Sequence, residues 1–172
     1  MSTSQVNHNA SADQKTLWGL IKDIKFGMLT HCHANGTLHS HPLTTQNKSL
    51  DEGSALYFFV SRKSELVQRL QQDGNVNVSY ADIGKDSYVS LSGNAAIVED
   101  QAKKENLWSV MAKAWFPGGV TDPDLALLEV KLTHTEYWDV KESKMTQLAK
   151  MATAAITGEP PHMGDHKKMN LS

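Results

Sequence analysis

The dipeptide Asn35-Gly36 is the feature that most restricts how this chain can fold. It lies between two β-compatible segments, 26–33 and 37–45. Asparagine followed by glycine tolerates the positive φ angles that a tight hairpin turn requires. We therefore expect the β structure of this chain to begin with two antiparallel strands.

The chain continues in short segments that suit further strands. Residues 55–60 form an aromatic and β-branched run, typical of a strand buried on both faces. Residues 76–80 and 89–97 alternate apolar and polar side chains, and two more short strands are predicted at 128–132 and 136–140. Turns separate most neighbours, which favours antiparallel pairing in a barrel of about six strands.

Four helices are predicted around these strands. Ser11 is a candidate N-cap of a first amphipathic helix, Ser64 of a short second helix and Asp100 of a third. The apolar stripe of the third helix comprises Leu107, Val110, Met111 and Ala114. A last helix is predicted over 144–157.

Length and composition favour one folded domain. The chain has 172 residues, of which 40% are apolar and 21% charged, as in ordinary globular domains. No boundary signal divides it. We predict a flexible tail over 1–10, a single domain over 11–158 and a second flexible tail over 159–172.

Charge and cysteine content argue against several classes of function. The formal net charge is −2 and basic residues are scattered among acidic ones, so no patch is suited to nucleic acid. Cys32 is the single cysteine, which excludes an internal disulfide and suits a reducing compartment. No export signal or membrane-spanning run is recognisable. We expect a soluble cytoplasmic protein that binds neither nucleic acid nor membrane.

Seven segments are distinctive in their order and spacing. They read LHSHPL (38–43), LYFFVSRKSELV (56–67), VNVSYAD (76–82), YVSLSGNAAIVED (88–100), LWSVMAKAWFPGG (107–119), DPDLALLEV (122–130) and TEYWD (135–139). Through them the chain resembles the general stress proteins of the pyridoxamine 5'-phosphate oxidase-like superfamily. The resemblance implies a mainly β, antiparallel six-stranded split β-barrel with Greek-key character, flanked by short helices. It also implies a homodimer with an FMN site at each end of the subunit interface.

The resemblance implies where FMN would bind, and it reveals two lost cations. His41-Pro42-Leu43 stands where the family has Arg-Pro-Met, and Ser64-Glu65-Leu66 stands where it has Ser-x-Lys. Phe58-Phe59-Val60 replaces Phe-Phe-Thr. Trp115 and Phe116 match a segment that in these dimers lies near the flavin of the partner subunit, and Trp138 lies in the matching EYWD segment. The cofactor-binding residues predicted in this way are His41, Pro42, Leu43, Phe59, Val60, Ser61, Arg62, Lys63, Ser64, Trp115, Phe116 and Trp138.

Arg62 and Lys63 are candidates to replace the lost cations beside Ser61 and Ser64. A charge-assisted hydrogen bond contributes roughly 1.5–3 kcal/mol. Losing two without replacement would therefore weaken FMN binding by about two orders of magnitude or more. The alternative is that Arg62 and Lys63 are an exposed loop pair, and that the aromatic residues pack in the core or at an interface.

A cluster of potential metal ligands surrounds the hairpin turn. It consists of His31, Cys32, His33, His39 and His41. A two-residue turn at Asn35-Gly36 would pair Cys32 with His39 and Thr30 with His41, placing Cys32, His39 and His41 on one face. Such a face suits zinc, copper or an axial bond to haem. The spacing matches no standard zinc signature, so we favour a structural role and assign no metal site.

Three functions are consistent with these observations. The first is an FMN-dependent redox protein, whose chemistry the cofactor would carry. The second is a stress-associated binding protein that has weakened or lost flavin binding and catalyses nothing. The third is a haem or metal protein that uses the histidine hairpin. The sequence favours the first and leaves open whether the chain is an enzyme.

Overall fold

The computed structural model describes residues 14–50, 54–140, 144–162 and 164–170. Within these ranges its helices are α1 (14–21), α2 (Glu65–Leu70), α3 (Gln101–Leu107) and α4 (Lys144–Thr157). Its strands are β1 (Phe26–Cys32), β2 (Leu38–Thr44), β3 (Ala55–Ser61), β4 (Asn75–Asp82), β5 (Ser87–Val98), β6 (Leu125–Asp139) and β7 (Asp165–Asn170). None of the helices in these ranges has the length and apolar content needed to cross a membrane.

Antiparallel pairing joins six strands in the order β2-β1-β4-β5-β6-β3. A bridge between Thr45, just after β2, and Phe58 of β3 brings the two ends of this path into contact. The result is a half-barrel flanked by helices, which confirms the predicted mainly β fold of six antiparallel strands.

The core lies inside the curved sheet, and α1 covers one side of it. Leu17 and Ile21, one helical turn apart, are each 1% exposed. They pack with inward-facing strand residues that are fully buried. These include Leu29, Leu56, Phe58, Val78, Leu91, Leu128 and Val130. Burying one such side chain contributes about 1.5–3 kcal/mol, so this face of each strand fixes the register of the sheet.

Both predicted N-caps within the described residues are confirmed. The Ser64 hydroxyl oxygen accepts the Val67 N–H at 3.3 Å. The Asp100 carboxylate accepts the Lys103 N–H at 2.9 Å. Each bond satisfies one of the backbone donors that a helix leaves unpaired in its first turn.

Helix α3 is shorter than predicted. It ends at Leu107 because Trp108 takes an extended conformation and its ring packs on Phe59, with ring centroids 5.7 Å apart. Val110 and Met111 are 89% and 60% exposed. The expected apolar stripe beyond Leu107 was therefore wrong, and these side chains lie on the surface.

The C-terminal part differs from the prediction in two respects. The two short strands expected at 128–132 and 136–140 are parts of one strand, β6. Residues 165–170, expected in a flexible tail, form β7. The helix expected over 144–157 is confirmed as α4, and the tail expected over 1–10 lies outside the described residues.

Strand β7 forms because β6 is long enough to offer an edge. On one side of β6, β3 pairs with residues 125–131 and β7 pairs with 134–139. His166 and Lys168 of β7 approach the Glu136 carboxylate at 2.6 and 3.2 Å. Their hydrogen bonds, first that of His166, lower the pKa of Glu136. Pairing and charge therefore order a segment that has little apolar character.

The hairpin turn is one residue longer than predicted. The His33 N–H donates to the Thr37 carbonyl at 2.8 Å, which leaves three residues in the loop. Gly36 has a φ of +82°, the left-handed conformation that glycine accepts without strain. The Asn35 side chain accepts the Thr37 N–H and hydroxyl at 3.0 and 2.6 Å, which stabilises the wider loop.

The wider loop shifts the register of β1 and β2. Cys32 pairs with Leu38 and His31 pairs with His39, so the expected pairings of Cys32 with His39 and of Thr30 with His41 were wrong. Because faces alternate along a strand, His31, His33, His39 and His41 share one face. Cys32 lies on the other.

Candidate functional site

A cavity of about 510 Å³ lies where β2 and β3 meet the start of α2. Nine of the predicted site residues line it. They are His41, Pro42, Leu43, Phe59, Val60, Ser61, Ser64, Trp115 and Phe116. The other lining residues are Phe26, Thr44, Gln46, Glu65, Leu66, Ala112 and Asp124. They were not among the predicted site residues, although Glu65 and Leu66 belong to the segment that stands where the family has Ser-x-Lys.

The cavity has an aromatic wall. Phe26, at the start of β1, is 59% exposed, and Trp115 is 81% exposed. Phe116 is 7% exposed and belongs to the buried part of the wall. Two large aromatic side chains that are open to solvent beside a cavity suit a planar apolar ligand.

The cavity lining also carries hydroxyl and carboxylate groups. The Ser61 hydroxyl donates to Asp124 Oδ2 at 2.7 Å. The Lys63 backbone N–H approaches Asp124 Oδ1 at 3.3 Å. The Ser61 hydroxyl, followed by backbone donors, lowers the pKa of Asp124, which is therefore ionised at neutral pH. The Ser64 hydroxyl accepts its helix-capping bond and retains a proton that it can donate to a ligand.

The remaining predicted site residues do not line the cavity. The Arg62 guanidinium contacts the Glu99 carboxylate through two nitrogens, at 2.6 and 3.3 Å. This pairing raises the pKa of Arg62 and lowers that of Glu99. Lys63 is exposed beside the cavity. Trp138 stacks on His166 of β7, with ring centroids 5.1 Å apart.

The histidine face of the hairpin reaches the cavity through His41. His41 Nε2 and His31 Nε2 are 3.1 Å apart. The His33 and His39 ring centroids are 3.7 Å apart, and His33 Nδ1 lies 3.6 Å from Glu65 Oε1. Because both Glu65 and His41 line the cavity, this cluster is continuous with the site.

The arrangement of these rings does not form a metal centre. Among the residues that the structure describes, no three histidine, cysteine or acidic side chains are placed to hold a metal ion. The facing nitrogens of His31 and His41 contact each other instead of a common point. The alternative ligand set of Cys32, His39 and His41 is divided, because Cys32 lies on the opposite face.

Solved structures share this fold. The general stress FMN/FAD binding protein of Xanthomonas citri is 32% identical, with a TM-score of 0.66 over 76% of this chain and 90% of that one. A general stress protein 26 candidate from Jannaschia sp. CCS1 is 26% identical, with a TM-score of 0.71 over 92% of this chain and 99% of that one.

Two sequence comparisons complete the assignment. Protein bli-3 of Neurospora crassa is 28% identical over 116 residues, which are 63% of this chain and 56% of that protein. The match thus spans little more than half the length of that relative. The family model described as pyridoxamine 5'-phosphate oxidase like matches residues 12–162. This chain therefore belongs to the pyridoxamine 5'-phosphate oxidase-like family.

Proposed function

We propose that this chain binds FMN in the cavity between β2, β3 and the start of α2, and that it serves a redox role. The observation that supports this most strongly is the cavity itself. Nine residues chosen from sequence resemblance line one space of about 510 Å³, a size typical of sites for small ligands. The name of the Xanthomonas citri relative, which includes FMN/FAD binding, points the same way.

The residues of the cavity fit the two ends of FMN. Phe26, Trp115 and Phe116 offer apolar contact to the isoalloxazine ring and would exclude water from it. Ser64 offers a hydroxyl donor to the phosphate, and Lys63 is exposed beside it. FMN, when bound, would supply the electron-transfer chemistry. The protein would bind and orient the flavin.

We further propose that the working form is a homodimer. Phe26 and Trp115 line the cavity and are largely exposed in one chain. Val110 and Met111, in the segment that leads to Trp115, are also exposed. Clustered exposed apolar side chains mark an interaction surface. A second copy seated there would shield the open side of the cavity.

A titration of the purified protein with FMN, followed through flavin fluorescence, tests this proposal. We expect saturable binding at micromolar FMN or tighter. Lys63→Ala should weaken binding by about tenfold, because it removes one charge-assisted contact to the phosphate. Arg62→Ala is the matched control and should change the affinity less, because Arg62 is held by Glu99.

The same preparation separates binding from turnover. Oxidation of reduced nicotinamide by FMN-loaded protein would support an oxidoreductase. FMN binding without turnover under any tested reductant would favour the non-catalytic binding protein. No saturation up to millimolar FMN would overturn the proposed function.

A further inference from the structure

The cavity offers an anionic ligand few fixed positive charges. Among the described residues that line it, His41 is the single basic side chain, whereas Glu65 and Asp124 are carboxylic acids. Asp124 is held ionised by its hydrogen bonds. A phosphate that enters such a site needs a compensating charge, because an uncompensated charge is costly away from water.

His41 is placed to acquire that charge. Its ring and the ring of His31 are nearly parallel, with an interplanar angle of 12° and centroids 5.2 Å apart. With the Nε2 atoms separated by 3.1 Å, the two nitrogens face each other between the rings. This is the geometry of an N–H···N hydrogen bond.

Burial determines which ring of the pair can carry a positive charge. His31 is 2% exposed, whereas His41 is only partly buried. Burial, followed by the neighbouring histidines, lowers the pKa of His31 and keeps it neutral. A protonated His41 would donate its Nε2–H to the His31 Nε2 lone pair.

Within the described part of the chain, four titratable side chains influence the charge of His31. His33 follows β1 directly, His39 and His41 come from β2, and Glu65 comes from α2. On its other edge His31 pairs with Val76 of β4, which is apolar. His31 Nδ1 is buried and has no hydrogen-bond partner among the described residues. When His31 accepts at Nε2, its own proton lies on this Nδ1, so it is the burial of His31, 2% exposed, that directs the added charge to His41.

We propose that His41 takes up a proton from solvent when an anionic ligand enters the cavity, with buried His31 as the neutral acceptor that supports it. The inference rests on the proposed function and adds that FMN binding is regulated by pH. FMN binding becomes linked to pH, and affinity falls as rising pH opposes the uptake of that proton. One linked proton gives a limiting slope of about tenfold in affinity per pH unit.

Isothermal calorimetry in two buffers of different ionisation enthalpy, at pH 7.5, measures the protons taken up on FMN binding. We expect an uptake approaching one proton for the natural chain. His41→Arg carries a permanent charge and should bind FMN with no more uptake than the phosphate itself causes. His41→Gln should bind weakly at all pH values. Lys63→Ala should lower FMN affinity by the same factor at every pH and keep the pH dependence.

Riboflavin provides the matched ligand control, because it lacks the phosphate. Its affinity should not change between pH 6.5 and 8.5, while that of FMN falls by at least tenfold. Thermal melting of His41→Arg and His41→Gln establishes that both variants fold. FMN binding with identical proton uptake in the natural chain and His41→Arg would overturn the inference and leave the proposed function standing.

A failure of FMN to bind would overturn the proposed function and still allow a test of His41. Nitrogen-15 spectra of the histidine rings, recorded with inorganic phosphate as the probe, report protonation directly. We expect phosphate to bring His41 to the doubly protonated form while His31 stays neutral. A His41 spectrum that does not respond to phosphate, or protonation of His31 instead, would contradict the inference.

Discussion

Asp124 links the cavity to the loop that follows β3. Its carboxylate receives the Ser61 hydroxyl at 2.7 Å and the Lys63 N–H at 3.3 Å, and its own carbonyl accepts the Arg62 N–H at 2.7 Å. The side-chain bonds favour the ionised carboxylate and lower its pKa. One acidic residue thereby holds three successive residues beside the site, Ser61 through its side chain and the next two through their backbone N–H groups.

The lowered pKa of Asp124 predicts how stability depends on pH. A carboxyl whose pKa is lower in the folded state stabilises the protein fully above its unfolded value, near about 3.9, and loses that contribution as pH falls through the folded value. Asp124→Asn should therefore lower the melting temperature at pH 7 and have a smaller effect at pH 3. Exposed Asp23→Asn is the control and should change little. An equal effect of Asp124→Asn at both pH values would contradict this assignment.

A bulge in β6 lies opposite one glycine of β5. The register between β5 and β6 shifts between Ser92 and Gly93. A Cβ atom at Gly93 would lie 2.3 Å from the Lys131 carbonyl oxygen, a backbone atom that cannot move aside. We expect Gly93→Ala to destabilise the protein by roughly 1–3 kcal/mol or more, through strain in the paired strands.

The same substitution in α1 provides the control. A Cβ atom at Gly19 would meet nothing within 4 Å. Gly19→Ala should therefore raise stability by roughly 0.5–1 kcal/mol through helix propensity. Urea unfolding of both variants checks the pair. Gly93→Ala with natural stability would mean that the bulge does not require glycine.

The sequence predicts an element well when the element's own residues supply its stabilisation, and poorly when another element supplies it. Strands with apolar alternation, such as β4 and β5, were predicted because burial of one face determines them. Strand β7 was missed because its pairing comes from backbone bonds and from Glu136, not from its own pattern. The hairpin was predicted but its register was not, because one residue in the loop exchanges the faces of β2 relative to β1. That one additional loop residue is the reason why four histidines share one face of the hairpin.

At the scale of the whole molecule, the predictions about the site succeeded and failed for the same reason. Resemblance brought together residues distant in sequence, such as Leu43, Ser64 and Phe116, which line one cavity. It did not foresee the charges, because the partners of Arg62 and His41 depend on how separate elements meet. Arg62 is held by Glu99, which follows β5, and His41 by His31 of β1. Those contacts decide which basic side chains face the cavity.

The proposed homodimer gives the last prediction. Val110 is 89% exposed, so Val110→Asp should leave the monomer fold intact and place a charge in the apolar surface. We expect light scattering to show a dimer for the natural chain and a monomer for Val110→Asp. FMN affinity should also fall, because Phe26 and Trp115 would lose their cover. Ile83→Asp is the control at a site 72% exposed in the turn between β4 and β5, and it should remain dimeric. A natural chain that is monomeric at tens of micromolar would contradict the dimer and require the cavity to hold FMN with its aromatic wall open to water.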